Sequence, residues 1–137
     1  MSTDFYVWYG PWLSADKFDA RLKRVLEEAV PAEKVFYRNP RLLEFLRYAQ
    51  SKFPPLSALE PADIRTSPWA ADPVSSEALI ELNLRATSEQ SYQVDILMMA
   101  SSGGLLVYDP QAHKVYRPRP PLWRLLLHVS GLKKLPE

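Results

Sequence analysis

Phe5 to Tyr9 is an unbroken run of aromatic and β-branched residues, which predicts a buried strand stopped by Gly10-Pro11. Beyond it, Phe18, Leu22, Val25, Leu26 and Ala29 recur at helical spacing, while Lys17, Arg21, Lys23, Arg24, Glu27 and Glu28 fill the other face. That pattern predicts an amphipathic helix capped by Ser14, favoured by Asp16 at its positive end and closed by Pro31. Asn39-Pro40 provides a cap and a first-turn proline for a second helix to about Lys52, with Leu42, Leu43, Phe45, Leu46 and Ala49 turned inward.

From Pro54 to Pro73 five prolines interrupt any period, so this stretch is expected to be a long ordered loop pinned by Trp69. Strict alternation then returns: Ile80, Leu82 and Leu84 oppose Glu81, Asn83 and Arg85, which predicts a half-buried strand over 79–86. Thr87 and Gln90 have capping-box spacing for a helix through Met99, whose buried side is Tyr92, Ile96 and Met99 with Leu97 and Met98 beside them. Gly103-Gly104 ends it, and 105–108 and 114–116 form a hairpin around a turn at 109–112. Pro120-Pro121 begins a last short helix with Leu122, Leu125, Leu126 and Val129 inward, up to Gly131.

The order is β-α-α-β-α-β-β-α. It predicts one α+β domain over 1–137, with a mixed four-stranded sheet and helices mainly on one face. The strand–helix–strand passage from 79 to 108 calls for a parallel crossover.

Composition narrows the chemistry. The chain has 137 residues, and its 47% hydrophobic and 24% charged content excludes disorder throughout. Cysteine is absent, so disulfides and thiolate metal sites are excluded. Residues 1–6 carry neither a basic nor an apolar leader pattern, and no apolar run is long enough to span a bilayer. The expectation is a cytoplasmic protein with no membrane partner. Net charge is +1 but unevenly placed: after Gln111 stand six bases against one acid, leaving a net −4 before it.

No residue qualifies as a catalyst. His113 and His128 are too few for a histidine-rich metal site, and Asp109 beside Pro110 is expected to bond its own turn. Ser101-Ser102-Gly103-Gly104 lacks the nucleophile elbow, and it ends a helix where a phosphate loop would begin one. Glu77, Glu81, Glu89, Asp95 and Asp109 are scattered over separate elements. No catalytic residue, cofactor or metal ligand is therefore assigned.

The aromatic residues carry more information. Strand alternation sends Tyr6 and Trp8 to the face opposite Phe5 and Val7. With helices on one face only, Tyr6, Trp8 and the nearby Trp12 would form an exposed patch bordered by Tyr116, Arg117, Arg119 and Arg124, a composition suited to a protein partner of acidic character. The competing expectation is that the proline-rich loop covers this face. A charge of only +1 and the lack of any RNA- or DNA-binding signature weigh against nucleic acid as the partner.

Two segments together carry a resemblance. Asp4-Phe5-Tyr6-Val7-Trp8 is similar to the Y-D-L-Y-V-W opening of a group of small bacterial proteins without an assigned activity. Gly104 to Gln111, followed by Val115-Tyr116-Arg117-Pro118, resembles the G-L-x-V-Y-D-P-Q…V-x-x-P hairpin that closes them. The resemblance brings no catalytic residues, and proteins of this size and layout look like immunity proteins encoded beside toxins. The expectation is thus a protein-interaction module, an immunity-type inhibitor being one form of it. The alternatives are a small hydrolase-like enzyme whose polar groups meet only in the fold and a weak nucleic-acid binder acting through the basic tail. Oligomeric state is not legible.

Overall fold

Alternation along the first strand organises the whole molecule. A computed structural model describes residues 2–85 and 91–118, with β1 at Ser2–Trp8, α1 at Ala15–Leu26, α2 at Pro40–Lys52 and α3 at Pro61–Ile64. There follow β2 at Trp69–Ser75, β3 at Ile80–Arg85, α4 at Ser91–Ser102, β4 at Leu106–Asp109 and β5 at Lys114–Tyr116. The class is α+β. The strands form one five-stranded sheet in the order β2-β3-β1-β4-β5, and every neighbouring pair is antiparallel.

The sheet therefore differs from the expected mixed, four-stranded one in two respects. β3 and β4 are both antiparallel to β1 and so run the same way, as a helical crossover requires, but β1 lies between them and no parallel ladder forms. β1 takes the centre because it is apolar on both sides and is the strand best able to be covered twice. The added strand, β2, comes from the proline-rich stretch. It lies at the sheet edge, with register shifts between Trp69 and Ala71 and between Ala71 and Val74 that erase the alternation a sequence pattern needs. Pro73 is tolerated there because an edge strand has one side free of ladder bonds. Asp72 accepts from the backbone N–H groups of Leu56 and Ser57, tying the preceding loop to this edge. Trp69 is buried and its indole Nε1–H donates to the Phe53 carbonyl at 2.7 Å, so it pins the stretch as expected.

Helices cover both faces, which corrects the one-sided arrangement. Phe5, Val7, Ile80, Leu82, Leu84 and Val107 pack with Leu42, Phe45, Leu46 and Ala49 of α2 and with Ile96 and Ala100 of α4. On the other face, Tyr6, Trp8, Leu79, Leu106 and Tyr108 pack with Phe18 and Leu22 of α1 and with Val35 and Phe36 beyond it. A sheet whose central strand is aromatic on both sides exposes a large apolar area unless each side has a helix, and α1 is amphipathic enough to serve.

The caps follow the sequence. Ser14 accepts from Lys17 N and Asn39 from Arg41 N, with Pro40 in the first turn of α2. α1 ends at Leu26, earlier than its apolar period suggests. Ala29 adopts a left-handed φ of 54° and Val30 N–H bonds the Arg24 carbonyl, a C-terminal turn that ends the helix before Pro31. The helix expected after Gly131's upstream prolines, over 120–131, and the capping box of Thr87 and Gln90 lie outside the described residues. Among the described residues, no helix is long and apolar enough to cross a membrane.

Candidate functional site

Tyr6 and Trp8 do point away from Phe5 and Val7, but neither lies on an open surface: they are 8% and 1% exposed. What covers them is α1, and the proline-rich loop has no part in the apolar cluster there. Phe18 sits among four rings, with centroids 4.5 Å from Trp8, 4.6 Å from Tyr108, 5.3 Å from Phe36 and 5.9 Å from Tyr6. This half of the expected contact surface is core.

Trp12, Tyr116 and Arg117 of that expected surface lie near the C-terminal end of β1. Trp12 is 48% exposed, and the Arg117 guanidinium lies 5.0 Å from the centroid of its ring. Tyr116 is half-buried, with the Lys114 ammonium 5.0 Å from its ring centroid. Arg41, from the first turn of α2, lies over Tyr9 at 5.5 Å. Gly10, at φ 139°, brings its backbone so close to Tyr37 that a Cβ there would meet the ring at 2.8 Å. The glycine thus lets Tyr37, itself exposed, lie against the chain between Tyr9 and Trp12. Among the described residues, neither Arg41 nor Arg117 forms an ion pair. Arg119 and Arg124 lie outside the described residues.

The opposite end of the α1-covered face is polar. Tyr108 OH donates to Asp19 Oδ1 at 2.6 Å and lies 3.2 Å from His113 Nδ1. His113 Nε2 is 3.0 Å from Asp16 Oδ1, and its Nδ1 is 3.4 Å from Asp19 Oδ2. Both ring nitrogens therefore have an oxygen partner, and the ring bridges Tyr108 and the two carboxylates of α1. Asp109, four residues before His113, takes no part. Its carboxylate accepts from Gln111 N and Ala112 N, holding its own turn as the sequence suggests.

His113 closes that turn at φ 51°, which aims its ring at α1. The signal for this cluster was the i, i+3 spacing of Asp16 and Asp19 on one helix face. Which strand that face would meet depends on the fold. Asp16, Asp19 and His113 are the one group of described residues whose donor atoms could together reach a metal ion. All three are exposed, and their mutual bonds tie the β4–β5 hairpin to α1.

Gln111 has a separate duty. Continuing the β1–β4 register past Tyr6↔Tyr108 puts Pro110 opposite Asp4, where no N–H is available. With its amide suitably turned, the Gln111 side chain accepts from Asp4 N at 3.1 Å and donates to Asp4 O at 3.0 Å, replacing the missing peptide.

Asp4, Tyr6 and Glu81 form the remaining polar group, Glu81 standing opposite Tyr6 in the β1–β3 ladder. Burial first, then the Glu81 and Asp4 charges, push the Tyr6 phenol from 10.0 to about 12. Burial and then Asp4 also raise the Glu81 carboxyl above its ordinary value. The folded state thus holds the Glu81 proton more tightly than the unfolded chain does. The associated stability is complete below about 4.5 and is lost as pH rises through the raised value. Glu81→Gln is therefore expected to raise the melting temperature at pH 7. The gain should close as the pH is lowered below the ordinary glutamate value; a gain that persists in acid would mean the charge is not its source.

Compared with protein-family models, curated proteins and solved structures, the chain matches none.

Proposed function

We propose that this protein is a protein-interaction module whose contact surface is the aromatic and arginine cluster at the C-terminal end of β1: Tyr9, Trp12, Tyr37, Arg41 and Arg117. The observation that carries the proposal is the stacking of Arg117 on a half-exposed Trp12. Tryptophan, tyrosine and arginine are the residues that dominate binding energy when an interface desolvates them. Stacking holds both side chains in place before a partner arrives, which lowers the ordering cost of association. The two arginines, unpaired among the described residues, select for an acidic partner. The surface keeps Trp12 and Arg117 of the sequence expectation and leaves out Tyr6, Trp8 and Tyr116.

The test is to pan a random peptide library on the immobilised full chain and titrate the enriched consensus peptide by calorimetry. An acidic, aromatic-bearing consensus is expected, weakening with added salt. Trp12→Ala and Arg117→Ala should each weaken binding about tenfold or more while barely moving the melting temperature. No enrichment, or a peptide whose affinity ignores both substitutions, would remove this surface from consideration.

A further inference from the structure

Asp16 and Asp19 stand three residues apart near the start of α1 and so share one face of the helix. Their carboxylates meet His113, which precedes β5 and lies 97 positions along the chain from Asp16. One ligand atom from each of the three residues lies within 4.8 Å of the other two. His113 Nε2 is 3.0 Å from Asp16 Oδ1, and its Nδ1 is 3.4 Å from Asp19 Oδ2. Neighbouring donors on a zinc tetrahedron, with bonds of about 2.0–2.2 Å, stand about 3.4 Å apart, so both gaps are close to a coordination edge.

The imidazole sets this group apart from exposed carboxylates that merely neighbour one another. Two oxygens and a nitrogen suit a borderline divalent cation of the zinc class. Calcium and magnesium take oxygen alone, and copper(I) seeks sulfur, of which the chain has no thiolate source. Asp19 is already oriented. Tyr108 is 1% exposed and its hydroxyl donates to Asp19 Oδ1 at 2.6 Å, leaving Oδ2 toward the imidazole. Burial, that bond and the neighbouring carboxylates push the Tyr108 phenol up, so it stays protonated and keeps donating. Outer contacts of this kind hold metal ligands in place. Either nitrogen of His113 can ligate while the other keeps an oxygen partner. Asp16, whose side chain is 93% exposed, is free to turn onto the ion.

We propose that Asp16, Asp19 and His113 form a binding site for one zinc-class divalent cation, which clamps the β4–β5 hairpin to α1. The charge of the ion offsets the two carboxylates gathered there. Three protein ligands leave the fourth zinc position to water or to a donor from a bound partner. The site lies at the other end of the α1-covered face from Trp12, so it stands independently of the proposed partner surface.

Zinc titrated into the chelator-treated full chain should saturate at one equivalent in calorimetry. It should also raise the melting temperature, because the ion binds the folded arrangement alone. The ring ¹⁵N resonances of His113 should shift in step with the isotherm. His113→Asn keeps a residue that accepts the left-handed φ of 51° and removes the imidazole, so the one-equivalent binding should vanish. Asp16→Asn changes a side chain too exposed to matter to the core; it should weaken zinc at least about tenfold while the zinc-free melting temperature stays put. His128→Gln, at the chain's other histidine, and Trp12→Ala should bind zinc as the wild type does. Absence of saturable binding would overturn the proposal and leave the three residues as a structural tie only. So would binding that survives His113→Asn, binding that is lost in His128→Gln, or a preference for calcium over zinc.

Discussion

Trp8→Ala is expected to cost about 3–5 kcal/mol in urea or thermal unfolding, the range for truncating a buried aromatic. The residue is 1% exposed, stacks at 4.5 Å on Phe18, and lies where α1 closes over the sheet. Such a loss is a large part of the roughly 5–15 kcal/mol that holds a domain of this size together. Trp8→Phe separates packing from polarity. Among the described residues, the Trp8 indole N–H finds no acceptor, and an unsatisfied buried donor carries a penalty of about 1–3 kcal/mol. Phenylalanine keeps a ring against Phe18 and removes that donor, so relief of the penalty offsets the lost volume and the variant should remain much closer to wild type. A Trp8→Ala variant within about 1 kcal/mol of wild type would show that α1 does not seal this face.

The second large effect is alkaline unfolding. Tyr6 titrates at about 12 in the folded protein against 10.0 for the free phenol, and Tyr108 is pushed up as well, by burial, by its hydrogen bond to Asp19 and by the neighbouring carboxylates. Both phenols hold their protons more tightly in the folded state. Their contribution is therefore complete below pH 10 and declines as pH rises through the folded values. Each phenol protonated only in the folded chain removes about 1.4 kcal/mol of stability per pH unit. Unfolding followed by circular dichroism should set in steeply between pH 10 and 12. Tyr6→Phe should flatten that dependence while leaving the fold intact at pH 7, because it removes the ionisable group and keeps the ring beside Phe18. An unchanged alkaline limb in Tyr6→Phe would mean the loss arises elsewhere. Tyr108→Phe should show a smaller benefit, since it also breaks the bond to Asp19 that anchors the hairpin to α1.

Local order was set by the chain itself. The apolar periods of α1 and α2, the caps at Ser14 and Asn39, the alternation of β3, and the glycine stop after α4 are short-range properties that neighbouring residues enforce. So is the Asp109 turn, whose carboxylate bonds residues two and three positions on. Sequence alternation likewise separated Tyr6 and Trp8 from Phe5 and Val7 before any contact was known.

Long-range pairing had to be decided in three dimensions. That β1 would lie between β3 and β4, and so replace a parallel ladder with antiparallel ones, depends on competition among strands for one central position. β2 escaped detection because its bulges break the period and its partner supplies the regularity. Which face α1 would cover is equally unwritten in its own amphipathicity. An apolar stripe specifies that a helix must be buried, and only the surface left open by α2 and α4 determines where. The same docking converted Trp8 from a candidate contact into core, and brought Asp16 and Asp19 to a histidine more than ninety residues away. Residues at such separations meet through the packing of whole elements, whose energy depends on all the faces present at once and on no single stretch of the chain.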